Sequence, residues 1–240
     1  MMAMNDMNSK NVVREELNEN LMTALAHEVK NPVSLIKANI ELLEFQGAFS
    51  DSKYNVDIIK KELNKISEIV TDFNTLFSCS NINELDEINL VDIIKEVEKE
   101  YRVTNSLNNI GFYLNSFCKF EDSFVKGDET KLEMLFSNIY KNAIEAMKEN
   151  NEEDDNMIKT NIYVNNNRRI VVEIIDNGHG IKKEIENCIC EPFNTTKSNG
   201  TGLGLCICKN IVNNFEGEFS IENNDDLRGC IVKIEFEINE

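Results

Sequence analysis

Residues 191–212, EPFNTTKSNGTGLGLCICKNIV, decide the fold. Gly200, Gly202 and Gly204 stand directly before an apolar periodic run, and that run predicts a helix over Leu205–Asn214. The free N–H groups and positive end of such a helix favour an oxyanion such as a triphosphate. Lys197 adds a charge and Thr196 a hydroxyl. Thr201, Leu203 and Leu205 complete the loop, and Phe193 is the aromatic residue before it. Residues 182–200 carry charges, Asn and Ser around this one aromatic, the composition of a segment that covers a ligand yet opens. A glycine cluster alone is a weak signal, so its neighbours matter.

Upstream, residues 174–181 read IIDNGHGI. An apolar strand runs straight into Asp-x-Gly-x-Gly. Its end places the Asp176 carboxylate at the base of a pocket, where it can accept a hydrogen bond from an exocyclic amine such as that of adenine. Gly178 and Gly180 let the backbone approach a flat ring closely. His179 reads as incidental. Further upstream, residues 138–147 read NIYKNAIEAM inside a strong helix over Thr130–Lys148, with Asp128 as its cap. Asn138 and Asn142 are four apart and point one way. Their carbonyl oxygens suit Mg²⁺, and Lys141 can reach a phosphate. A merely polar helix face is the other reading of this segment.

The amino-terminal third has a different character. Residues 10–46 read as one helix, with Leu17, Leu21, Ala24, Leu25, Pro32, Leu35, Ile36, Asn39 and Leu43 in a stripe about 120° wide. Residues 53–77 form a second helix with Val56, Ile59, Leu63, Ile66, Val70, Phe73 and Phe77 on one face. A short connection makes the pair an antiparallel hairpin. A hairpin cannot bury both stripes alone, so a homodimeric four-helix bundle is expected. Within it, residues 25–32 read LAHEVKNP. His27 lies about 140° from the centre of the stripe and faces solvent, with Glu28 beside it and Asn31 one turn on. An exposed imidazole next to a carboxylate can act as a nucleophile, the carboxylate taking the ring proton. An ordinary surface histidine is the alternative; Pro32, a costly residue inside a helix, argues for a functional site.

Residues 78–89 read as a hinge. Beyond it come helix Leu90–Tyr101, strand pieces at Ile110–Phe117 and Phe124–Val125, and strands at Ile158–Val164, Ile170–Ile175, Glu218–Glu222 and Cys230–Ile238. This is an α+β sandwich, one mixed sheet with helices on one face.

Composition limits the partners. The 240 residues hold 43 acidic and 25 basic side chains, a net charge of −18. Such a surface repels nucleic acid and anionic membrane. No apolar run approaches the ~20 residues that span a bilayer, so no membrane insertion and a cytoplasmic location are expected. Cys79, Cys118, Cys188, Cys190, Cys206, Cys208 and Cys230 form no CxxC motif and read as buried free thiols.

The four segments, in this order and over roughly residues 15–240, resemble the phosphoacceptor, asparagine, first-glycine, phenylalanine and second-glycine boxes of bacterial two-component sensor histidine kinases. The short lid and the helix KNAIEAM resemble the nitrogen-regulatory and sporulation branch. The resemblance implies a dimerisation and histidine-phosphotransfer hairpin over 1–80, a hinge over 81–89 and an ATP-binding α/β sandwich over 90–240, of the kind shared with gyrase and the Hsp-ninety chaperones. It implies that His27 is phosphorylated, that Glu28 takes its proton and that Asn31 serves phosphatase chemistry. Asn142 would hold Mg²⁺ with Asn138 and Lys141 beside it. Asp176, Gly178 and Gly180 would read adenine, while Phe193, Thr196, Lys197, Gly200, Thr201, Gly202, Leu203, Gly204 and Leu205 would form the lid and phosphate loop. Related ATPases carry a water-activating Glu at the place of Asn138, so transfer to a protein side chain is expected. The acceptor would be an aspartate on a response-regulator receiver domain. With only about 20 residues before the histidine box, input is expected through a partner or metabolite unless the chain is an excised core. A non-catalytic phosphotransfer protein, and a serine kinase acting as an anti-sigma factor on the same ATP fold, are the alternatives.

Overall fold

The computed structural model describes residues 25, 29–43, 52–77, 86–104, 110–148, 155–195, 197, 200–224 and 228–239. They divide into two compact units, one holding Met1–Phe77 with Thr195–Leu203, the other Ser78–Asn194 with Gly204–Glu240.

In the first unit, α1 (residues 29–43) runs as unbroken helix through Pro32, which is buried. The Ser34 hydroxyl donates back to the Lys30 carbonyl at 2.8 Å. α2 is Ser52–Phe77. Along both helices some apolar positions are buried and others stay exposed. Pro32, Asn39 and Ile69 are buried within the chain, whereas Val56, Leu63 and Val70, seven residues apart, stay 37%, 51% and 46% exposed. Val33 and Ile40, and Leu35 and Leu42, repeat the pattern on α1. Seven-residue spacing is the signature of a seam between helices.

The second unit begins with β1 (Asp86–Asn89), which pairs antiparallel with β3 (Phe124–Gly127). The last residues of the expected hinge are therefore strand. Asn89 ends that strand and also caps α3 (Leu90–Thr104), its Oδ1 accepting from Val91 N at 3.1 Å and Asp92 N at 3.2 Å. β2 is Gly111–Ser116, α4 is Glu129–Met147, β4 is Met157–Val164 and β5 is Arg169–Asp176. α5 (Gly204–Asn214), β6 (Glu218–Asn223) and β7 (Cys230–Glu237) follow. The main sheet has the order β2-β4-β5-β7-β6, with β2 parallel to β4 and the other pairs antiparallel. Instead of one mixed sheet the described residues form two, β1 and β3 pairing with each other apart from the five-stranded sheet.

Strand alternation builds the core. Ile158, Ile162, Ile170, Val172, Ile174, Val232, Ile234 and Phe236 are buried. Several intervening positions are polar: Tyr163 donates to Glu173 at 2.8 Å and Lys233 pairs with Glu235 at 2.7 Å. α4 buries Leu132, Leu135, Phe136, Ile139, Tyr140, Ala143 and Ile144 at helical spacing. Asp128 caps it, accepting from Lys131 N at 3.0 Å. The Tyr140 hydroxyl meets that of Thr160 in β4 at 2.7 Å, and burial pushes its acidity well below that of a free phenol. α4 is thus fixed against the sheet both by apolar burial and by one satisfied polar contact. Among the described cysteines all are free; only Cys208 and Cys230 are buried, and Cys118, Cys188, Cys190 and Cys206 are partly exposed, unlike the expectation.

Replacing Ile162, fully buried in β4, with alanine should destabilise the second unit by about 3 kcal/mol, from lost transfer energy plus the cavity left behind. Urea unfolding followed by tyrosine fluorescence checks this, with a shifted midpoint and an unchanged slope expected.

Candidate functional site

β5 carries its last residue, Asp176, into the protein with the side chain 5% exposed. Its Oδ1 accepts from Gly178 N at 2.8 Å, which fixes the rotamer and folds the chain back on itself. Asn177 locks the next residue: Met157 N donates to its Oδ1 at 2.8 Å and its Nδ2 donates to the Asp155 carbonyl at 2.8 Å. Two close approaches admit only glycine. A Cβ on Gly178 would lie 2.6 Å from the Cβ of Ala146 in α4, and one on Gly229 would lie 2.0 Å from the Asp176 carbonyl oxygen. His179 N donates to the Ala146 carbonyl at 3.1 Å, tying the loop to the end of α4. The buried Cys230 thiol is pushed up to about 12, first by desolvation and then by the Asp176 charge. A held, buried carboxylate of this kind accepts a hydrogen bond from a ligand N–H and selects for it.

Eight residues before Ala146, α4 presents Asn138, with Asn142 one turn later. Both amides face the first residue of α5. A Cβ on Gly204 would sit 3.7 Å from Asn138 Oδ1 and 3.9 Å from Asn142 Nδ2. Among the described residues, Asn138 Nδ2 is buried with no hydrogen-bond partner. A buried donor without an acceptor is costly, and here it lies at the positive end of an 11-residue helix. A ligand oxygen placed there supplies the missing acceptor. The Asn142 side-chain oxygen is a hard donor of the kind Mg²⁺ takes. Lys141 is exposed, and Leu205 sits partly buried in the first turn of α5.

The remaining residues are spread along the chain. Residues 182–194 form consecutive turns closed by local bonds such as Cys188 N to the Ile185 carbonyl at 3.0 Å, and none of residues 181–195 is buried. Phe193 turns the chain with φ +64°. In the first unit, Lys197 N donates to Thr195 Oγ1 at 3.0 Å and Gly200 N to the Lys197 carbonyl at 3.3 Å. The Thr201 hydroxyl donates to Asp72 in α2 at 3.3 Å, Gly202 has φ +68°, and Leu203 is buried. Thr196, Ser198 and Asn199 lie outside the described residues, as do His27 and Glu28; Asn31 is exposed on α1. A cavity of about 400 Å³ lies elsewhere, between α3 and α4, with Glu96, Glu100 and Glu133 on its rim. That charge suits no polyphosphate.

Comparison with known proteins agrees with this arrangement. Residues 127–240 match the family described as histidine kinase-, DNA gyrase B- and HSP90-like ATPase, and residues 17–78 match the His kinase A (phospho-acceptor) domain. The solved catalytic domain of histidine kinase ThkA is 30% identical, with a TM-score of 0.54 over 65% of this chain and 96% of that one. This chain belongs to the two-component histidine kinase family. Most of the residues that match its ATPase model lie in the second unit. Sporulation kinase A of Bacillus subtilis (strain 168) is 29% identical over 216 residues, 90% of this chain and 34% of that protein. Sporulation kinase C of the same organism is 31% identical over 204 residues, 85% of this chain and 45% of that protein. The chain thus spans about a third of the first of these relatives and under half of the second. ThkA in complex with the response regulator TrrA matches over 98% of this chain with a TM-score of 0.73 at 24% identity, which shows the fold alone. No described helix is long and apolar enough to cross a membrane.

Sequence reading missed Asn177, Asn223, Gly229 and Cys230, which hold or adjoin the Asp176 loop. The Asn-rich stretch before Gly229 was a turn signal, but nothing local says which loop that turn meets.

Gly178→Ala should push the loop away from Ala146 and weaken ATP binding by about tenfold or more while the sheet stays folded. Calorimetric titration with ATP, alongside circular dichroism, checks it.

Proposed function

We propose that this chain is an ATP-dependent protein-histidine kinase, with a phosphotransfer hairpin over 1–80, a connection over 81–89 and a catalytic domain over 90–240. The observation that carries the reading is the unpaired, buried Asn138 Nδ2 at the amino end of α5, with Asn142 beside it and the held Asp176 on the adjoining loop. The spacing along α4 supports one ligand at both ends. Eight residues from Asn138 to Ala146 span about 12 Å at 1.5 Å per residue, the reach of a nucleoside triphosphate from base to phosphates.

In this reading Asp176 accepts the adenine amino group, with Gly178 and Gly180 against the ring. Asn138, Lys141 and the α5 amino end hold the phosphates. Asn142 is the protein ligand for Mg²⁺, which neutralises phosphate charge when bound. Phe193, Thr196, Lys197, Gly200, Thr201, Gly202, Leu203, Gly204 and Leu205 close over the nucleotide. A ring nitrogen of His27 attacks the γ-phosphorus with its lone pair. The bond from that phosphorus to the bridging oxygen breaks, ADP leaves, and the ring proton passes to Glu28. The phosphoryl group then moves to a carboxylate oxygen of an aspartate on a response-regulator receiver domain, and Asn31 serves the reverse hydrolytic chemistry. The protein supplies positioning and charge rather than covalent chemistry. A cytoplasmic location is part of this reading, because the reaction draws on ATP and on a receiver domain.

The same proposal includes a homodimer. The exposed seams of Val56, Leu63 and Val70 and of Val33, Leu35, Ile40 and Leu42 support it, since a second copy would cover them. At −18 net charge, that association must rest on apolar burial.

His27→Gln should abolish incorporation of the γ-phosphate while ATP still binds; wild-type labelling of this variant would sink the assignment. Leu63→Glu with Val70→Glu should convert dimer to monomer in sedimentation and leave ATP affinity within about twofold, because both are exposed positions on α2 and neither is among the proposed nucleotide residues.

A further inference from the structure

We propose that Asn223, the last residue of β6, is a positioning residue for purine recognition, acting through the loop that follows Asp176. This rests on the ATP-binding reading above. One side-chain amide holds both sides of a single residue's backbone. Ile181 N donates to Asn223 Oδ1 at 2.6 Å, and Asn223 Nδ2 donates to the Ile181 carbonyl at 3.1 Å. The amide imitates a neighbouring strand where the sheet has ended. Its own position is fixed, because Asn223 pairs with Cys230 in the β6–β7 register and Asn224 N donates to the Gly229 carbonyl at 3.0 Å. The same hairpin end presses Gly229 on the Asp176 carbonyl, so it grips the loop at both its start and its finish.

Between these grips lie Gly178, His179 and Gly180, held by His179 N donating to the Ala146 carbonyl, Gly178 N donating to Asp176 Oδ1, and the His179 ring Nδ1 2.6 Å from the Gly180 carbonyl oxygen. Gly180 passes so near that a Cβ on it would lie 2.8 Å from Asn223 Oδ1. Only an amide of this length serves. Aspartate keeps the acceptor but loses the donor and sets a negative charge against the Ile181 carbonyl. Alanine removes both bonds. In either case the loop that carries the base contacts gains freedom, while Asn138, Asn142 and the α5 amino end are untouched.

The consequence is a split. Asn223→Ala should raise the KM for ATP and its dissociation constant about tenfold or more, keep kcat at saturating ATP, and lower the preference for ATP over GTP. Asn223→Asp should fall on the same side. Without nucleotide, the amide of Ile181 should exchange with solvent at least about tenfold faster in Asn223→Ala, while amides in β4 and β5 keep their protection. Calorimetry with ATP and with GTP, and hydrogen exchange on the apo proteins, read these effects. An unchanged ATP dissociation constant in Asn223→Ala overturns the proposal. So does a loss of binding sites per chain at unchanged affinity, which marks a purely structural role. If the wild-type chain binds no ATP, the function proposed above fails, and the Ile181 exchange rate alone decides whether the amide grips the loop.

Discussion

Between the last turn of α4 and the turn before β7 there is room for a backbone and nothing more. The chain leaving β5 passes through that gap, with Gly178 on Ala146 and Gly229 on the Asp176 carbonyl. Three elements of the second unit make this confinement. The sheet places β5, the apolar face of α4 places Ala146, and the β6–β7 hairpin closes the other side. A carboxylate confined in this way meets its ligand already oriented, so little is lost to ordering when the ligand arrives.

α4 joins the two ends of the site. Its buried face, from Leu132 to Ile144, fixes the helix on the sheet, and its Tyr140 hydroxyl contact with Thr160 fixes the rotation. With rotation and height set, Asn138 and Asn142 necessarily face the start of α5. The net charge of −18 explains the choice of groups. A surface so acidic repels a polyphosphate at long range, and in the proposed reading the site would answer with amides and a helix end rather than with a cluster of cations. These act at short range and need exact placement, which the confined loop and the fixed helix provide.

Much of this was legible in the sequence. The cap at Asp128, the spacing of apolar residues in α4, the strand before Asp176 and the glycines before α5 are local patterns, and each has a local physical cause. What was not legible comes from contacts between distant parts of the chain. Asp86–Asn89 is short and mostly polar, and becomes strand only because Phe124–Gly127 lies beside it. Asn223 reads as a turn residue until its amide meets Ile181, 42 positions earlier in the chain. The stripe read on α2 left out Ile69, which is buried, and included Val56, Leu63 and Val70, which stay exposed, since periodicity gives the width of an apolar face but not which neighbour covers each edge. The partly exposed cysteines show the same limit: residue type suggested burial, and position in turns and helix ends decided otherwise. His27 and Glu28 rest on sequence and family membership.

The central claim is that phosphate passes from ATP to a histidine nitrogen. The most direct measurement is the chemical stability of the labelled protein after incubation with Mg²⁺ and ATP carrying a radioactive γ-phosphate. A phosphorus–nitrogen bond predicts label lost in mild acid and kept in alkali. Label kept in acid and lost in alkali would mean a phosphate ester on serine or threonine, and would contradict the account.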